Sequence, residues 1–108
     1  MNAQQIIALG GKEWRSADGT KHRVYINADV AERLIGFEAV YYKTGNISGA
    51  WLNDEKISNS RGSIIASALR IGKIWFDCVT GEINSRGMGD TGLLVRAAIL
   101  KAVAEGEV

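Results

Sequence analysis

Lys73-Ile74-Trp75-Phe76-Asp77-Cys78-Val79-Thr80, then Gly81-Glu82-Ile83, then Asn84-Ser85-Arg86-Gly87-Met88-Gly89-Asp90-Thr91-Gly92, is the stretch that decides what kind of sheet this chain builds. The first eight residues alternate, which places Ile74, Phe76 and Cys78 on one strand face and Lys73, Trp75 and Asp77 on the other. Thr80-Gly81-Glu82 turns the chain into Ile83. The glycine-rich segment follows, and Gly92 to Ala104 reads as a helix, strongly apolar over most of its circumference.

Working outward from there, Lys12–Arg15 and Lys21–Ile26 are short strand-like runs joined by Ser16-Ala17-Asp18-Gly19-Thr20, whose Asp-Gly pair favours a hairpin turn. Val24 and Ile26 alternate with Arg23 and Tyr25, so the latter two share the outer face. Asn27 or Asp29 opens a short helix that Gly36 stops. Phe37–Lys43 and Ile47–Asn53, separated by Thr44-Gly45-Asn46, read as a second hairpin, and Lys56–Ser58 as a brief strand. Asn59 or Ser60 then caps a helix to Leu69 or Arg70, ended by Gly72, with Ile64, Ile65, Ala68 and Leu69 on one face. Residues 1–11 read as a short arm or a loose tail. The expected architecture is α+β: antiparallel strands in hairpins with three helices, in one domain over residues 1–108.

Composition bounds the function. A formal net charge of +1 gives no general attraction to nucleic acid or to an anionic membrane, so anion recognition would rest on local arginines. One cysteine, Cys78, forms no internal disulfide, and no segment has the apolar length of a signal peptide or a membrane span. A cytoplasmic protein is expected. His22 is the only histidine, Cys78 is distant from it in sequence, and the carboxylates form no readable pair. No nucleophile-base pair, metal cluster or cofactor motif stands out, and a binding protein is expected rather than an enzyme.

The candidate binding chemistry begins in the glycine-rich segment. Gly87, Gly89 and Gly92 match G-x-G-x-x-G between a strand and a helix, but only sixteen residues follow Gly92 and no βαβ unit is completed. What remains is flexible backbone and helix-start NH groups, capped by Asp90 or Thr91, with Asn84 and Arg86 beside them; the alternative is a connection that holds no ligand. Asn59-Ser60-Arg61-Gly62 repeats Asn84-Ser85-Arg86-Gly87, and Arg61 in a first helical turn opposes the macrodipole unless an anion sits beside it. Arg96 is spaced to lie among Leu93, Ile99, Leu100 and Val103, where a guanidinium needs a carboxylate, a carbonyl cluster, a phosphate or a subunit interface. Trp75, Tyr25 and Arg23 on polar strand faces are placed to stack on a base and hold a phosphate, unless a helix or partner covers them.

The runs Arg23-Val24-Tyr25-Ile26-Asn27, Tyr41-Tyr42-Lys43-Thr44-Gly45-Asn46-Ile47-Ser48, Lys56-Ile57-Ser58-Asn59-Ser60 and Lys73-Ile74-Trp75-Phe76-Asp77 resemble the first described family of phage Thoeris anti-defence proteins, over about residues 12–104. The resemblance implies a non-enzymatic, oligomeric sponge that sequesters the host's cyclic ADP-ribose immune signal, with some members also taking up cyclic oligonucleotides, in the host cell cytoplasm. It carries over no individual binding residue. The physical expectation is therefore a small phosphorylated nucleotide held by Arg96, Arg86, Arg61 and Arg23, by Asn84 and the Gly87 and Gly89 backbone, and by Trp75 or Tyr25, in a homo-oligomer that binds neither membrane nor long nucleic acid. A second expectation is a phage inhibitor that grips a host enzyme through Tyr41, Tyr42 and Trp51.

Overall fold

The computed structural model describes residues 2–105; Met1 and the residues of the polar end beyond Glu105 lie outside the described residues. The order along the chain is α1 (Ala3–Ala8), β1 (Lys12–Arg15), β2 (His22–Tyr25), α2 (Ala28–Ile35), β3 (Glu38–Tyr41), β4 (Ile47–Leu52), β5 (Glu55–Ile57), α3 (Asn59–Ile71), β6 (Trp75–Asp77), β7 (Ile83–Asn84) and α4 (Asp90–Ala104). Two antiparallel sheets result, a four-stranded one in the order β1-β2-β6-β7 and a three-stranded meander β3-β4-β5. The class is α+β, as expected. Among the described residues no helix is long and apolar enough to cross a membrane.

Alternation decides which side of the four-stranded sheet meets the core. Val24 pairs with Phe76 in the β2–β6 ladder and both are buried, while the flanking Ile26 and Ile74 are sealed and joined by an Ile26 N–H to Ile74 C=O bond of 3.0 Å. The opposite face carries Lys12, Trp14, Arg23, Tyr25, Trp75, Asp77 and Asn84, by the same period of two. Trp75 and Asp77 therefore share the open face with Arg23 and Tyr25, as the sequence pattern requires.

The helices depart from expectation in number and in their caps. Residues 2–11 do not form a loose arm: Asn2 and Gln5 close a capping box around α1, and Ile6 is fully buried. The seat for Ile6 is Gly11, where a Cβ would stand 2.7 Å from Ile6 Cγ2 and 2.9 Å from Val24 Cγ1. The absence of a side chain at Gly11 is what lets α1 lie on β2. Arg33 then donates from Nη1 to Leu9 C=O at 3.1 Å, and Asn27 donates from Nδ2 to Gly10 C=O at 2.8 Å, tying the turn after α1 to α2. Among the described residues there are thus four helices rather than three.

Asn27, not Asp29, caps α2 by accepting from Val30 N–H at 3.0 Å, and Gly36 ends it in the left-handed region at φ 58°. Ser58, not Asn59 or Ser60, caps α3, because its extended backbone aims Oγ at Arg61 N–H, 3.1 Å away. Helix α3 packs on β4 through Gly62, where a Cβ would come within 2.4 Å of Ala50 Cβ. Ile65, Ala68 and Leu69 are buried beside it, whereas Ile64 turns outward. Asp90 and Thr91 lie inside α4, and its cap is Gly89 at φ 57°, ψ −138°, with no side-chain cap bond.

Candidate functional site

The open face of the four-stranded sheet is ordered in rows set by its register. Lys12, Tyr25, Trp75 and Asn84 stand directly opposite one another across β1, β2, β6 and β7, and Trp14, Arg23 and Asp77 form the next row. Tyr25 and Trp75 meet edge to face with ring centroids 6.1 Å apart. The Arg23 guanidinium rises from the middle strand with its Cζ 4.1 Å from the Trp75 ring centroid and 5.4 Å from that of Trp14, and Nη1 is 3.4 Å from Tyr25 Oη. This is a cation held among three aromatic rings.

At its far end the first row runs into the glycine-rich segment. Asn84 Oδ1 accepts from Arg86 N–H at 3.1 Å, which bends the chain sharply after β7. A shallow recess of about 310 Å³ follows, lined by Asn84, Arg86, Gly87, Gly89, Leu93 and Arg96 together with Glu82. Lys73 approaches from the other side, its Nζ 3.7 Å from where a Cβ of Gly87 would be. Among the described residues no carboxylate lies within ion-pair distance of Arg23, Lys73, Arg86 or Arg96.

The expected site residues therefore fall into two adjoining groups that share Asn84. Arg23, Tyr25 and Trp75 are on the sheet face; Arg86, Gly87, Gly89 and Arg96 are in the recess. Arg61 belongs to neither, being half-buried in the first turn of α3. Two residues were missed. Trp14 sits on an edge strand exposed along its whole length, so only its cross-strand partner Arg23 reveals it. Lys73 was placed on the right face, but its approach to Gly87 depends on a tertiary turn.

Arg96 does not lie on the face of α4 that meets the core, contrary to the expectation from spacing. Thr91, Gly92, Val95, Ile99 and Ala102 form the buried stripe of α4, and Arg96 stands on the solvent side between Leu93 and Leu100, each 62% exposed. With leucine and alanine on nearly every face, hydrophobic spacing did not indicate which side of α4 meets the core. The three glycines also have structural duties. Gly87 takes φ +82° and Gly89 φ +57°, while a Cβ on Gly92 would stand 2.8 Å from Ser85 C=O. Every strand pair being antiparallel, the dinucleotide meaning of the pattern does not apply.

On the core side, at the rim of the sheet, His22 Nε2 and Glu13 Oε2 are 2.6 Å apart, and that bond holds the Glu13 carboxyl below its usual range. Cys78 lies across the ladder from His22, its N–H bonded to His22 C=O at 2.9 Å. Burial pushes the Cys78 thiol upward, and the carboxylates of Glu13 and Asp77 push it further. The sheet thus joins two residues remote in sequence, but in surroundings that keep the thiol protonated. Among the described residues no three His, Cys, Asp or Glu side chains gather as a metal site. Comparison with family models, with curated proteins and with solved structures found no match.

Proposed function

We propose that the protein captures a small phosphorylated nucleotide and holds it without turnover, a cytoplasmic sponge for a cyclic nucleotide immune signal of the cyclic ADP-ribose type. The observation that carries this reading is the row Lys12–Tyr25–Trp75–Asn84 leading directly into Arg86 and Gly87. It sets aromatic surface for a base beside cations and mobile-φ glycine backbone suited to phosphate. Arg86, Arg96 and Lys73 supply charge, and among the described residues none of them is within ion-pair distance of an acid, although Glu82 shares the recess. The thiol of Cys78 and the His22–Glu13 pair lie on the other face of the sheet, away from these groups, which favours retention over hydrolysis. The apolar exposed side of α4, with Leu93 at the recess, favours a homo-oligomer.

Titration calorimetry against cyclic ADP-ribose isomers and cyclic di- and trinucleotides, followed by heat release and identification of the ligand, tests the proposal. Saturable binding with recovery of the intact compound is expected; recovery of a hydrolysed product would make the protein an enzyme.

A second reading is an inhibitor of a host enzyme acting by direct contact. It is favoured by Val40, Tyr41 and Tyr42, more than half exposed beside a groove of about 1080 Å³ along β3. Trp51 contributes less to that surface, because its ring folds over Gly49 of its own strand, with Cη2 2.7 Å from a Cβ placed there. Co-purification of a host protein, in the absence of binding by any of those nucleotides, would favour this reading.

A further inference from the structure

We infer that Trp14 and Trp75 form the two walls of a slot for one planar heteroaromatic base, and that Arg23 is its displaceable plug. The inference rests on the nucleotide-capture reading and names which part of the ligand goes where. Trp14 and Trp75 stand on the strands either side of β2, Trp14 directly opposite Arg23 and Trp75 diagonal to it, in the row of Tyr25. Their centroids are separated by at most the sum of the two cation distances, about 9.5 Å. A flat group clasped between two rings at carbon contact distance needs about 7–8 Å. That bound leaves room for such a group; the guanidinium sits nearer Trp75, and Trp14 is on an edge strand and 41% exposed, free to adjust to what lies between the rings.

Trp75 supplies a separate observation. Its indole Nε1–H is buried without a hydrogen-bond partner, while the Arg23 guanidinium lies over the same ring. A buried donor left unpaired is costly. A nucleoside whose base stacks on Trp75 carries ribose oxygens past the edge of the ring, where they can accept from the in-plane indole N–H, and Arg23 cannot, having only donors. Among the described residues no carboxylate is within ion-pair distance of Arg23, its cross-strand neighbour Asp77 accepting instead from Val79 and Thr80 N–H, so Arg23 can swing on its own stem toward the ligand phosphate. Displacement exchanges one cation–π stack for a base stacked on two rings and keeps the arginine charge beside the phosphate.

The test compares adenosine with adenosine 5′-monophosphate, read by calorimetry and by tryptophan emission in a Trp51→Phe background. Arg23→Met keeps the aliphatic stem and thins the plug; folding is verified by thermal unfolding. The plug predicts opposite signs: Arg23→Met binds adenosine on the order of 10-fold more tightly than the parent and adenosine monophosphate less tightly. Trp14→Ala loses on the order of 10-fold for both. If Arg23→Met weakens both ligands equally, or leaves both unchanged, the plug is refuted while nucleotide capture stands. Unchanged binding by Trp14→Ala also refutes the slot. If the parent binds neither these probes nor any cyclic nucleotide, both inferences fall together.

Discussion

Asn59-Ser60-Arg61-Gly62 and Asn84-Ser85-Arg86-Gly87 are the same four residues in different structures, and nearly every letter does a different job in each. In the first copy the chain is helical from Asn59, and Ser58 alone caps it. In the second, Asn84 ends β7 and its side chain holds Arg86 N–H, while Ser85 Oγ donates to Gly92 C=O at 3.3 Å. Gly62 has no side chain because α3 must touch Ala50; Gly87 has none because φ is +82°. Arg61 is half-buried on a packed helix, and Arg86 is exposed at the rim of the recess. What separates them is the preceding residue: a serine in extended conformation aimed at a helix start, against an isoleucine paired with Phe76 in a sheet.

That contrast can be broken by single substitutions. The largest effect is expected from Gly62→Ala. Alanine ordinarily favours a helix by about 1 kcal/mol over glycine, but here its Cβ would press on Ala50, and an overpacking cost at the upper end of about 1–3 kcal/mol should leave a net loss of about 2 kcal/mol in denaturant unfolding. An increase in stability would mean that α3 and β4 are not in this contact.

Next come the arginines. Arg86→Ala and Arg96→Ala should each weaken nucleotide binding by roughly 10-fold with unfolding midpoints unchanged, as expected for one charge-assisted contact to phosphate. Arg61→Ala should leave affinity within about twofold. If calorimetry shows Arg61→Ala to be the weaker binder, the repeat, not the recess, is the functional unit.

Gly87→Ala should cost about 1 kcal/mol through backbone strain alone, since only the flexible end of Lys73 lies near its Cβ position. Gly87→Asn, which tolerates the left-handed region, should recover part of that loss in the same assay.

The smallest effect concerns a turn held by a side chain rather than by a glycine conformation. Asp18 Oδ1 accepts from Ser16 Oγ at 2.7 Å and from Thr20 N–H and Oγ1, and these bonds, led by that of Ser16, depress its carboxyl to about 2 from 3.8. A carboxyl depressed on folding stabilises the ionised native form. Its contribution should be complete above pH 3.8 and fade as pH falls through about 2. Asp18→Asn should flatten that part of an acid-unfolding profile, and at neutral pH it should lose the contribution that the ionised carboxyl makes there.

Much of this was legible in the residues themselves. Alternation over Ile74–Asp77 fixed which side of β6 is buried, and Gly36 and Gly72 marked two helix ends at left-handed positions. The recess was legible too, since Asn84, Arg86, Gly87 and Gly89 are neighbours in sequence. Features that depend on partners from afar were not. Ile6 needs Gly11 and Val24 to become core, Trp14 gains meaning only opposite Arg23, and Arg96 sits on a helix whose apolar residues point in all directions. The proximity of His22 and Cys78 was not legible for the same reason: it exists only across the β2–β6 ladder.

The two sheets also differ in how far along the chain their strands must search for each other. The β3-β4-β5 meander closes within residues 38–57, through neighbours joined by short turns. The four-stranded sheet waits for β6 to find β2 across everything between Tyr25 and Trp75. Loop closure of that length delays pairing, and non-local contacts are the slow ones in folding. The expected sequence of events is early condensation of the meander with α3 and late docking of β6. A rate analysis should give Ala50→Gly a larger share of its destabilisation in the folding limb than Phe76→Leu, whose effect should fall on unfolding. The face that carries Arg23 and Trp75 would then be the last part of the molecule to exist and the first to be lost.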